Sequence, residues 1–336
     1  MRITYVLPRP ELGGGTKVVA QHADLLLGRG HEVTVLGDGP APDWASLRAS
    51  YLDSSKPLPE LAPQDLVIAT FWTTIERARE LALGPVAHFC QGYEGSHQHN
   101  LADRPAIEKA YAQPGPRLTV TPHLGELLRR RFGIESRVVP PPLDPLFRPR
   151  WRLAPRRRPW VAIPGIFGAE VKGVPTAIEA VKVLRRQGVE CRVLRISTDP
   201  LTDEERELLP PDRYLSGVRP DAVARALRAC DLLFLPSEPE EGFGLPLLEA
   251  MASKVPAVAS EIPSTVFMAG GSDRGVRLVT VGDRAAFAAA AHELLRSPRA
   301  WRRARRAGYL AAQRFAPGRV AGELEEAVRW ACAEAV

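Results

Sequence analysis

Short apolar runs alternate with amphipathic segments through the first 140 residues of the chain. Residues 2–8 form an apolar run of strand length, residues 16–27 carry apolar side chains at helical spacing after a glycine turn at 13–15, and residues 32–36 form another run. This order predicts a strand, a helix and a parallel strand. Further strands are predicted at residues 66–70, 86–90, 118–121 and 137–140.

The same alternation begins again after a proline-rich stretch. Residues 140–142 end the first half, and residues 148–159, rich in arginine and proline, are interpreted as a linker. The later predicted elements are a strand at 160–164, a helix at 175–186, strands at 191–197 and near Leu232, Ala257 and Arg277, and a final helix at 319–335. The pattern predicts an α/β chain of two doubly wound Rossmann-like domains with a cleft between them, residues 1–150 and 151–317. A C-terminal helix within residues 318–336 is expected to return to the first domain.

Residues 241–251, with the sequence EGFGLPLLEAM, combine a glycine-rich turn, a helix start and two carboxylates. They follow an apolar run at residues 230–237 that predicts a buried parallel strand, and strong helix formers occupy residues 245–252. Ligands of open parallel sheets bind beyond the carboxyl ends of the strands. Gly242 and Gly244 permit close backbone approach, and the helix start presents N–H groups that suit an anion.

The two carboxylates of this segment, Glu241 and Glu249, suit sugar hydroxyls because a carboxylate accepts hydrogen bonds from two of them together. The ordinary alternative is that Glu241 is a solvated loop residue and Glu249 lies on an exposed helix face. The apolar neighbours Leu247, Leu248 and Met251 favour the binding interpretation, because they indicate a buried helix in which a glutamate needs a partner.

The segment resembles the donor-binding signature of family 4 retaining glycosyltransferases, and further motifs occur in that family's order. They are Gly14-Gly15, Gly30-His31-Glu32-Val33, Asp144 with Phe147 and Pro149, Lys172-Gly173, Gly217 and Pro236-Ser237. The resemblance covers nearly the whole chain. It implies the GT-B fold and transfer of a hexose or deoxyhexose from a UDP-, GDP- or dTDP-sugar to an acceptor hydroxyl, with the anomeric configuration retained. The implied process is polysaccharide, glycolipid or glycoconjugate synthesis, and the acceptor, whether carbohydrate, lipid-linked or a small molecule, is not specified.

The resemblance also implies roles for individual residues. Glu241 would hydrogen-bond the transferred sugar, and Lys172 would be the cation facing the diphosphate, which makes these two the catalytic candidates. Glu249 would hold the ribose diol. The other donor-binding candidates are Gly14 and Gly15 near the phosphates or sugar, Gln91 where relatives often have a histidine, Gly217 near the base, and Gly242, Phe243, Gly244 and Leu245 around the diphosphate.

The chain contains no D-x-D motif, so neither a metal ion nor another cofactor is expected, and protein cations and amides would stabilise the departing diphosphate. Family members usually carry an arginine six positions before Lys172, where this chain has Ile166. A charged hydrogen bond contributes about 1.5–3 kcal/mol. Arg219 or Arg9 would supply the hydrogen bond to the diphosphate that Ile166 does not offer. Alternatively, the enzyme is slow or uses another donor geometry. A further alternative is that the chain is a weak or inactive nucleotide-sugar-binding module.

Composition narrows the class of protein. The 336 residues are 45% hydrophobic and 25% charged, which is ordinary for a globular protein. No apolar stretch approaches the roughly 20 residues of a membrane span, and the run at residues 1–7 is too short for a signal peptide. A cytoplasmic protein is therefore expected. The four scattered cysteines predict neither a zinc site nor a disulfide framework, and His97 with His99 lacks a convincing third metal ligand.

The net charge of +6 is concentrated in basic clusters at residues 129–131, 148–158 and 299–306. Such clusters suit phosphates, nucleic acid or anionic lipid head groups, which leaves peripheral contact with the inner membrane face as an alternative. The simpler interpretation, favoured for residues 302–306, is a linker and solvated helix faces. Aromatic residues are not regularly interleaved with the basic residues of these clusters, so no nucleic-acid partner is expected.

Overall fold

The computed structural model describes residues 1–270 and 275–335. The chain forms two compact units, Met1–Pro142 together with the segment from Phe315 onward, and Leu143–Arg314. Each unit contains a sheet of parallel strands flanked by helices. The predicted doubly wound α/β architecture is confirmed.

The sheet of the first unit has the strand order β3-β2-β1-β4-β5-β6-β7. The strands are β1 (Arg2–Val6), β2 (Glu32–Gly37), β3 (Ser50–Asp53), β4 (Leu66–Ala69), β5 (Val86–Cys90), β6 (Arg117–Thr119) and β7 (Ser136–Val138), and the first helices are α1 (Gly14–Leu27), α2 (Trp72–Glu80), α3 (Arg104–Tyr111) and α4 (Pro122–Phe132). Ile3 of β1 pairs with Val33 on one side and Leu66 on the other. Every residue of β4 is buried, as expected for a central parallel strand.

The sheet of the second unit has the strand order β10-β9-β8-β11-β12-β13. Its strands are β8 (Trp160–Pro164), β9 (Arg192–Ser197), β10 (Arg213–Ser216), β11 (Leu232–Leu235), β12 (Ala257–Ser260) and β13 (Val276–Val279). Its helices are α5 (Val174–Arg186), α6 (Asp203–Leu208), α7 (Pro220–Arg228), α8 (Leu245–Ala252), α9 (Pro263–Ala269), α10 (Arg284–Arg296) and α11 (Pro298–Ala312), and the chain continues into α12 (Pro317–Glu334), which packs on α1 in the first unit.

The sequence pattern does not predict β3 or β10. Both are edge strands that pair with one neighbour, and both keep partly exposed side chains. An edge strand buries less of its surface than a central strand, so its sequence lacks the continuous apolar run that identifies β4 or β11. Across residues 1–270 and 275–335, no helix combines the length and apolar composition needed to cross a bilayer.

The arginine-rich stretch before β8 is anchored to the second unit, so its interpretation as a linker is wrong. Asp231 is fully buried, and its carboxylate accepts from the Arg152 guanidinium, from Arg156 Nη1 at 2.8 Å, and from the backbone N–H groups of Arg156 at 3.0 Å and Trp160 at 2.9 Å. Trp301 Nε1 donates to the Asp231 carbonyl at 2.8 Å. We name this arrangement the Asp231 clamp.

Arg305 extends the Asp231 clamp and corrects a second expectation. Its side chain was expected on a solvated helix face, but only 6% of the residue is exposed. It donates to the backbone carbonyls of Lys254 at 2.6 Å, of Arg152 and of Arg150, and it stacks on the Trp301 ring at 4.3 Å. Burial lowers the pKa of Arg305 to about 10, so the group remains a cation at neutral pH.

Candidate functional site

The strand order of the second sheet creates a switch point between β8 and β11. The chain adds β9 and β10 on one side of β8, and then places β11, β12 and β13 on the other side. The loops that leave the carboxyl ends of β8 and β11 therefore run in opposite directions and leave a crevice between them. Lys172 lies in the first loop and Glu241 in the second.

Lys172 and Glu241 meet at this switch point. Lys172 Nζ donates to Glu241 Oε2 at 2.8 Å, and Ser237 Oγ donates to the same oxygen at 3.2 Å. The Glu241 side chain is 10% exposed, whereas the Lys172 side chain is 35% exposed. The structure thus brings together both predicted catalytic residues, with the lysine on the solvent side of the carboxylate.

Ser237 belongs to one of the motifs that carry the family resemblance, but no role in the site was expected for its side chain. It is fully buried at the end of the run that contains β11. The signal in the sequence was a hydroxyl at the end of the predicted strand run, four residues before Glu241. The hydrogen bond from Ser237 holds the carboxylate in place independently of Lys172.

Gly173 allows the two loops to approach each other. Its φ is 57°, in the left-handed region, and a Cβ at this position would overlap the Pro236 carbonyl oxygen. The loops are also joined by a backbone hydrogen bond from Glu238 N–H to Val171 C=O at 2.9 Å. A side chain at residue 173 would push apart the segments that carry Lys172 and Glu241.

The amino terminus of α8 borders the carboxylate. Gly244 is the N-cap residue with φ 85°, and no side chain caps the helix. Glu241 Cγ lies 3.8 Å from the position that a Gly244 Cβ would occupy. The partial positive charge of a helix amino terminus stabilises a nearby anion, so this position favours the Glu241 carboxylate and also suits a phosphate.

The apolar sequence of α8 predicted a helix that is buried on nearly all sides, but one face of the helix is partly exposed. Leu247, Leu248 and Met251 are buried, whereas Glu249 is half-buried together with Leu245 and Pro246. Residues three and four positions apart lie on one helix face. Glu249 therefore shares a partly open face with the first turn of α8, beyond the loop that contains Glu241.

Three donor-binding candidates close to Glu241 lie in the buried turn before α8, namely Gly242, Phe243 and Gly244. Gly217 lies elsewhere, at the exposed carboxyl end of the edge strand β10, with φ 58° and its N–H donating to the Ser197 carbonyl at 3.0 Å. Strands β9 and β8 separate β10 from β11. Gly217 is thus at the same edge of the sheet, but two strands away from the switch point.

The first unit brings together the remaining candidates. Gln91 follows β5, and its Nε2 donates to the Gly15 carbonyl at 3.3 Å. Gly14 and Gly15 belong to the exposed first turn of α1, so the helix begins two residues earlier than predicted. They follow β1, which borders β4 at the switch point of this sheet.

A buried cluster lies next to Gln91. The Tyr111 hydroxyl contacts the Glu94 carboxylate and lies 3.5 Å from Cys90 Sγ. Burial raises the pKa of Glu94 to about 7, and the hydrogen bond from Tyr111 partly opposes that shift. His88 packs against Tyr111 and is 1% exposed, and burial with the nearby Arg117 charge holds its pKa well below the usual range. His88 is therefore a core residue.

His97 and His99, the two histidines that lacked a convincing third metal ligand in the sequence, are close neighbours. The His97 and His99 rings lie 5.3 Å apart. Among residues 1–270 and 275–335, no three His, Cys, Asp or Glu side chains form a group able to hold a metal ion.

Ile166 lies half-buried in the loop after β8, where a hydrophobic side chain replaces the arginine usual in the resembled family. Arg195 of β9 supports this loop from the core. It is 1% exposed, pairs with the buried Glu205, and donates to the Ile163 carbonyl and to the Gly165 carbonyl at 2.8 Å. Arg195 shapes the backbone before Ile166. Arg219 is exposed at the start of α7.

Lys172, Glu241 and the turn before α8 lie within a segment that matches a known protein family. Residues 158–297 match the family described as glycosyl transferases group 1. A phosphatidyl-myo-inositol mannosyltransferase of Mycolicibacterium smegmatis is 31% identical over 160 residues. That alignment covers 47% of this chain and 40% of the relative, so the chain accounts for less than half of the relative's length.

Solved structures match over nearly the whole chain. Sucrose-phosphate synthase from Thermosynechococcus elongatus aligns with a TM-score of 0.78 at 19% identity and covers 99% of both chains. Anabaena HepE in complex with UDP-glucose aligns with a TM-score of 0.76 at 16% identity, covering 98% of this chain and 100% of that one. These likenesses concern the fold, and the chain has the GT-B fold that the resemblance implied.

Proposed function

We propose that this protein is a retaining glycosyltransferase that moves a hexose or deoxyhexose from a nucleotide sugar to an acceptor hydroxyl. The observation that carries the proposal is the pairing of Lys172 with Glu241 at the switch point of the second sheet, beside the amino terminus of α8. The family match supports it, because residues 158–297 contain both side chains. The proposed products are polysaccharides, glycolipids or other glycoconjugates.

Donor binding would exchange the partners of this ion pair. The diphosphate would take the place of the carboxylate beside Lys172, and sugar hydroxyls would take the place of the ammonium beside Glu241. Ser237 would keep its hydrogen bond to Glu241 and so hold the carboxylate during the exchange. Pairing in the free site avoids leaving a largely buried charge without a partner, which is costly.

The turn before α8 and the helix itself would supply the other contacts to the donor. The backbone amides of residues 243–245 would bind the diphosphate, because the helix dipole favours an anion there. Glu249 would accept hydrogen bonds from the ribose diol on the partly open face of α8. Among the nucleotide-binding candidates, Gly217 would contribute backbone contacts to the base.

In the proposed reaction, the bond between the anomeric carbon and the β-phosphate oxygen breaks, and a bond to the acceptor oxygen forms on the same face. The acceptor proton passes to the departing diphosphate. Because the electron pair of the broken bond stays on the β-phosphate oxygen, negative charge grows on that phosphate, and the Lys172 ammonium and the amides at the start of α8 would stabilise it. The reaction proposed here uses no metal ion or other cofactor.

The test is a donor screen with UDP-, GDP- and dTDP-sugars, read as release of nucleoside diphosphate. We expect Lys172→Met and Glu241→Gln each to lower kcat/KM by roughly 10- to 150-fold, since a charged hydrogen bond contributes about 1.5–3 kcal/mol. The matched controls are Lys182→Met on α5 and Glu240→Gln in the exposed part of the loop. The anomeric configuration of the product, read by NMR, tests retention.

Glu249→Ala should weaken nucleotide binding in calorimetry while leaving the Lys172–Glu241 pair intact. Unchanged nucleotide affinity in this variant would contradict the assigned ribose contact. If no sugar nucleotide binds or turns over, the assignment of the whole donor site is wrong.

A second candidate is a nucleotide-sugar-binding module with little or no turnover. Ile166 favours it, because an isoleucine offers the diphosphate neither charge nor hydrogen bond. This candidate predicts nucleotide binding that depends on Lys172 and Glu249, with no diphosphate release for any donor and acceptor. An Ile166→Arg variant would then strengthen diphosphate binding without producing turnover.

A further inference from the structure

The second unit exposes large apolar side chains on one part of its surface. Trp151 is 90% exposed, Leu153 is 74% exposed and Leu310 is 58% exposed. Trp151 and Leu153 belong to the arginine-rich segment before β8, and Leu310 belongs to the last turn of α11. Single exposed apolar residues are ordinary, whereas a group of them indicates a surface that contacts something else.

Contacts of Lys254 and Arg302 place the segment that contains Trp151 and Leu153 beside α11. Lys254 Nζ lies 5.3 Å from the centre of the Trp151 ring and 4.7 Å from the Tyr309 ring, and Tyr309 directly precedes Leu310. Arg302 Nη1 donates to the Leu153 carbonyl at 2.9 Å. We call this surface the Trp151 patch and define it by Trp151, Leu153, Lys254, Arg302, Tyr309 and Leu310.

The surroundings of the Trp151 patch are strongly basic. Helix α11 contains five arginines and no acidic residue. Arg303 and Arg306 are exposed, and they are spaced with Leu310 at intervals of three and four residues, which places all three on one face of the helix. The patch therefore combines exposed apolar side chains with a cationic border.

The Trp151 patch lies at the opposite edge of the sheet from the donor site. The segment that contains Trp151 and Leu153 runs into the amino end of β8, and Lys254 comes just before the amino end of β12. Lys172 and Glu241 lie beyond the carboxyl ends of β8 and β11. A partner on the patch would leave the carboxyl edge of this unit uncovered.

We propose that the Trp151 patch docks the protein on an anionic membrane surface. Tryptophan is favoured at the boundary between head groups and acyl chains, where leucine side chains also bury apolar area. Arginine and lysine side chains around them attract anionic head groups, each by about 1 kcal/mol near the surface. Charge complementarity and an apolar centre thus select a lipid surface with phosphate-bearing head groups.

The test is co-sedimentation of the full chain with vesicles of phosphatidylglycerol and phosphatidylcholine. We expect Arg303→Gln/Arg306→Gln to weaken binding about thirtyfold, which corresponds to about 1 kcal/mol for each arginine, and to flatten its dependence on salt. Trp151→Ala should weaken binding about tenfold or more and leave the salt dependence unchanged. Arg129→Gln/Arg130→Gln on α4 removes the same charge from exposed positions and should bind as the wild type does.

Several results would overturn the proposal. They are equal binding by the Arg303/Arg306 variant and the wild type, no sedimentation of the wild type with anionic vesicles, or a Trp151-dependent dimer in analytical ultracentrifugation. Competition that single-stranded RNA wins at equal phosphate concentration would assign the surface to nucleic acid instead. Thermal unfolding of each variant, unchanged from the wild type, excludes a folding defect as the cause of lost binding.

Discussion

Replacing Asp231 by asparagine should destabilise the second unit selectively. The Asp231 carboxylate is fully buried and accepts from two guanidinium groups and two backbone N–H groups. Asparagine keeps the shape, but it removes the negative charge and turns an NH₂ group toward donors. Arg152, whose side chain is 14% exposed, then loses its anionic partner inside the protein.

The magnitude follows from the burial of this pair. Removing one partner from a buried ion pair costs about 3–5 kcal/mol, because the remaining charge stays desolvated. An exposed pair contributes about 0–1 kcal/mol. Asp203→Asn is the matched control, because Asp203 pairs with Arg206 while its side chain is 89% exposed.

Hydrogen exchange read by mass spectrometry distinguishes the two units. Peptides that cover β8 and β11 should exchange roughly two to four orders of magnitude faster in Asp231→Asn than in the wild type, as the cost of about 3–5 kcal/mol requires. Peptides that cover β4 and β5 should be unchanged. If Asp231→Asn exchanges at the rate of Asp203→Asn, the Asp231 clamp does not stabilise the unit and the reasoning is wrong.

Two further predictions concern a glycine and a titrating group. Gly173→Ala should reduce donor affinity, because its Cβ would overlap the Pro236 carbonyl. The control is Gly188→Ala, which has a similar left-handed backbone but open space around it and should leave donor affinity unchanged. Equal losses of donor affinity in calorimetry would contradict the role of Gly173. Between about pH 4.5 and 7 the folded protein keeps a proton on Glu94 that the unfolded chain has lost, so this group makes the free energy of unfolding fall as pH rises. In urea unfolding, Glu94→Gln should lose that component of the pH slope, and an unchanged slope would refute the assignment.

The central elements and the paired side chains could be predicted from the sequence for a clear reason. The apolar run and the helix formers around Glu241 fix α8 at residues 245–252, as predicted, and strands β5 and β8 begin and end as predicted. Parallel strands bring their carboxyl ends to one edge, so the loops after β8 and β11 were expected at the same edge of the sheet, and the family resemblance selected Lys172 and Glu241 within those loops.

The contacts that depend on tertiary structure were not predictable in this way. Asp231 lies 75 residues after Arg156 and 70 residues before Trp301, and no local periodicity connects them. The buried pair of Arg195 and Glu205 was not predictable for another reason, because a charged residue on a strand is ordinarily expected at the surface. Charges of this kind are fixed by the packing of distant segments, which a single sequence does not reveal.

The position of α12 has a consequence for synthesis of the protein. Val320, Leu324 and Val328 are fully buried within the first unit, which is otherwise built from Met1–Pro142. The 172 residues of Leu143–Arg314 are therefore translated before that unit receives its last helix. At about 5–20 residues per second, the ribosome needs roughly 10–30 s for this segment. During that interval the nascent first unit presents the apolar surface that α12 later covers, so we expect the second unit to complete its folding first and chaperones to engage the first.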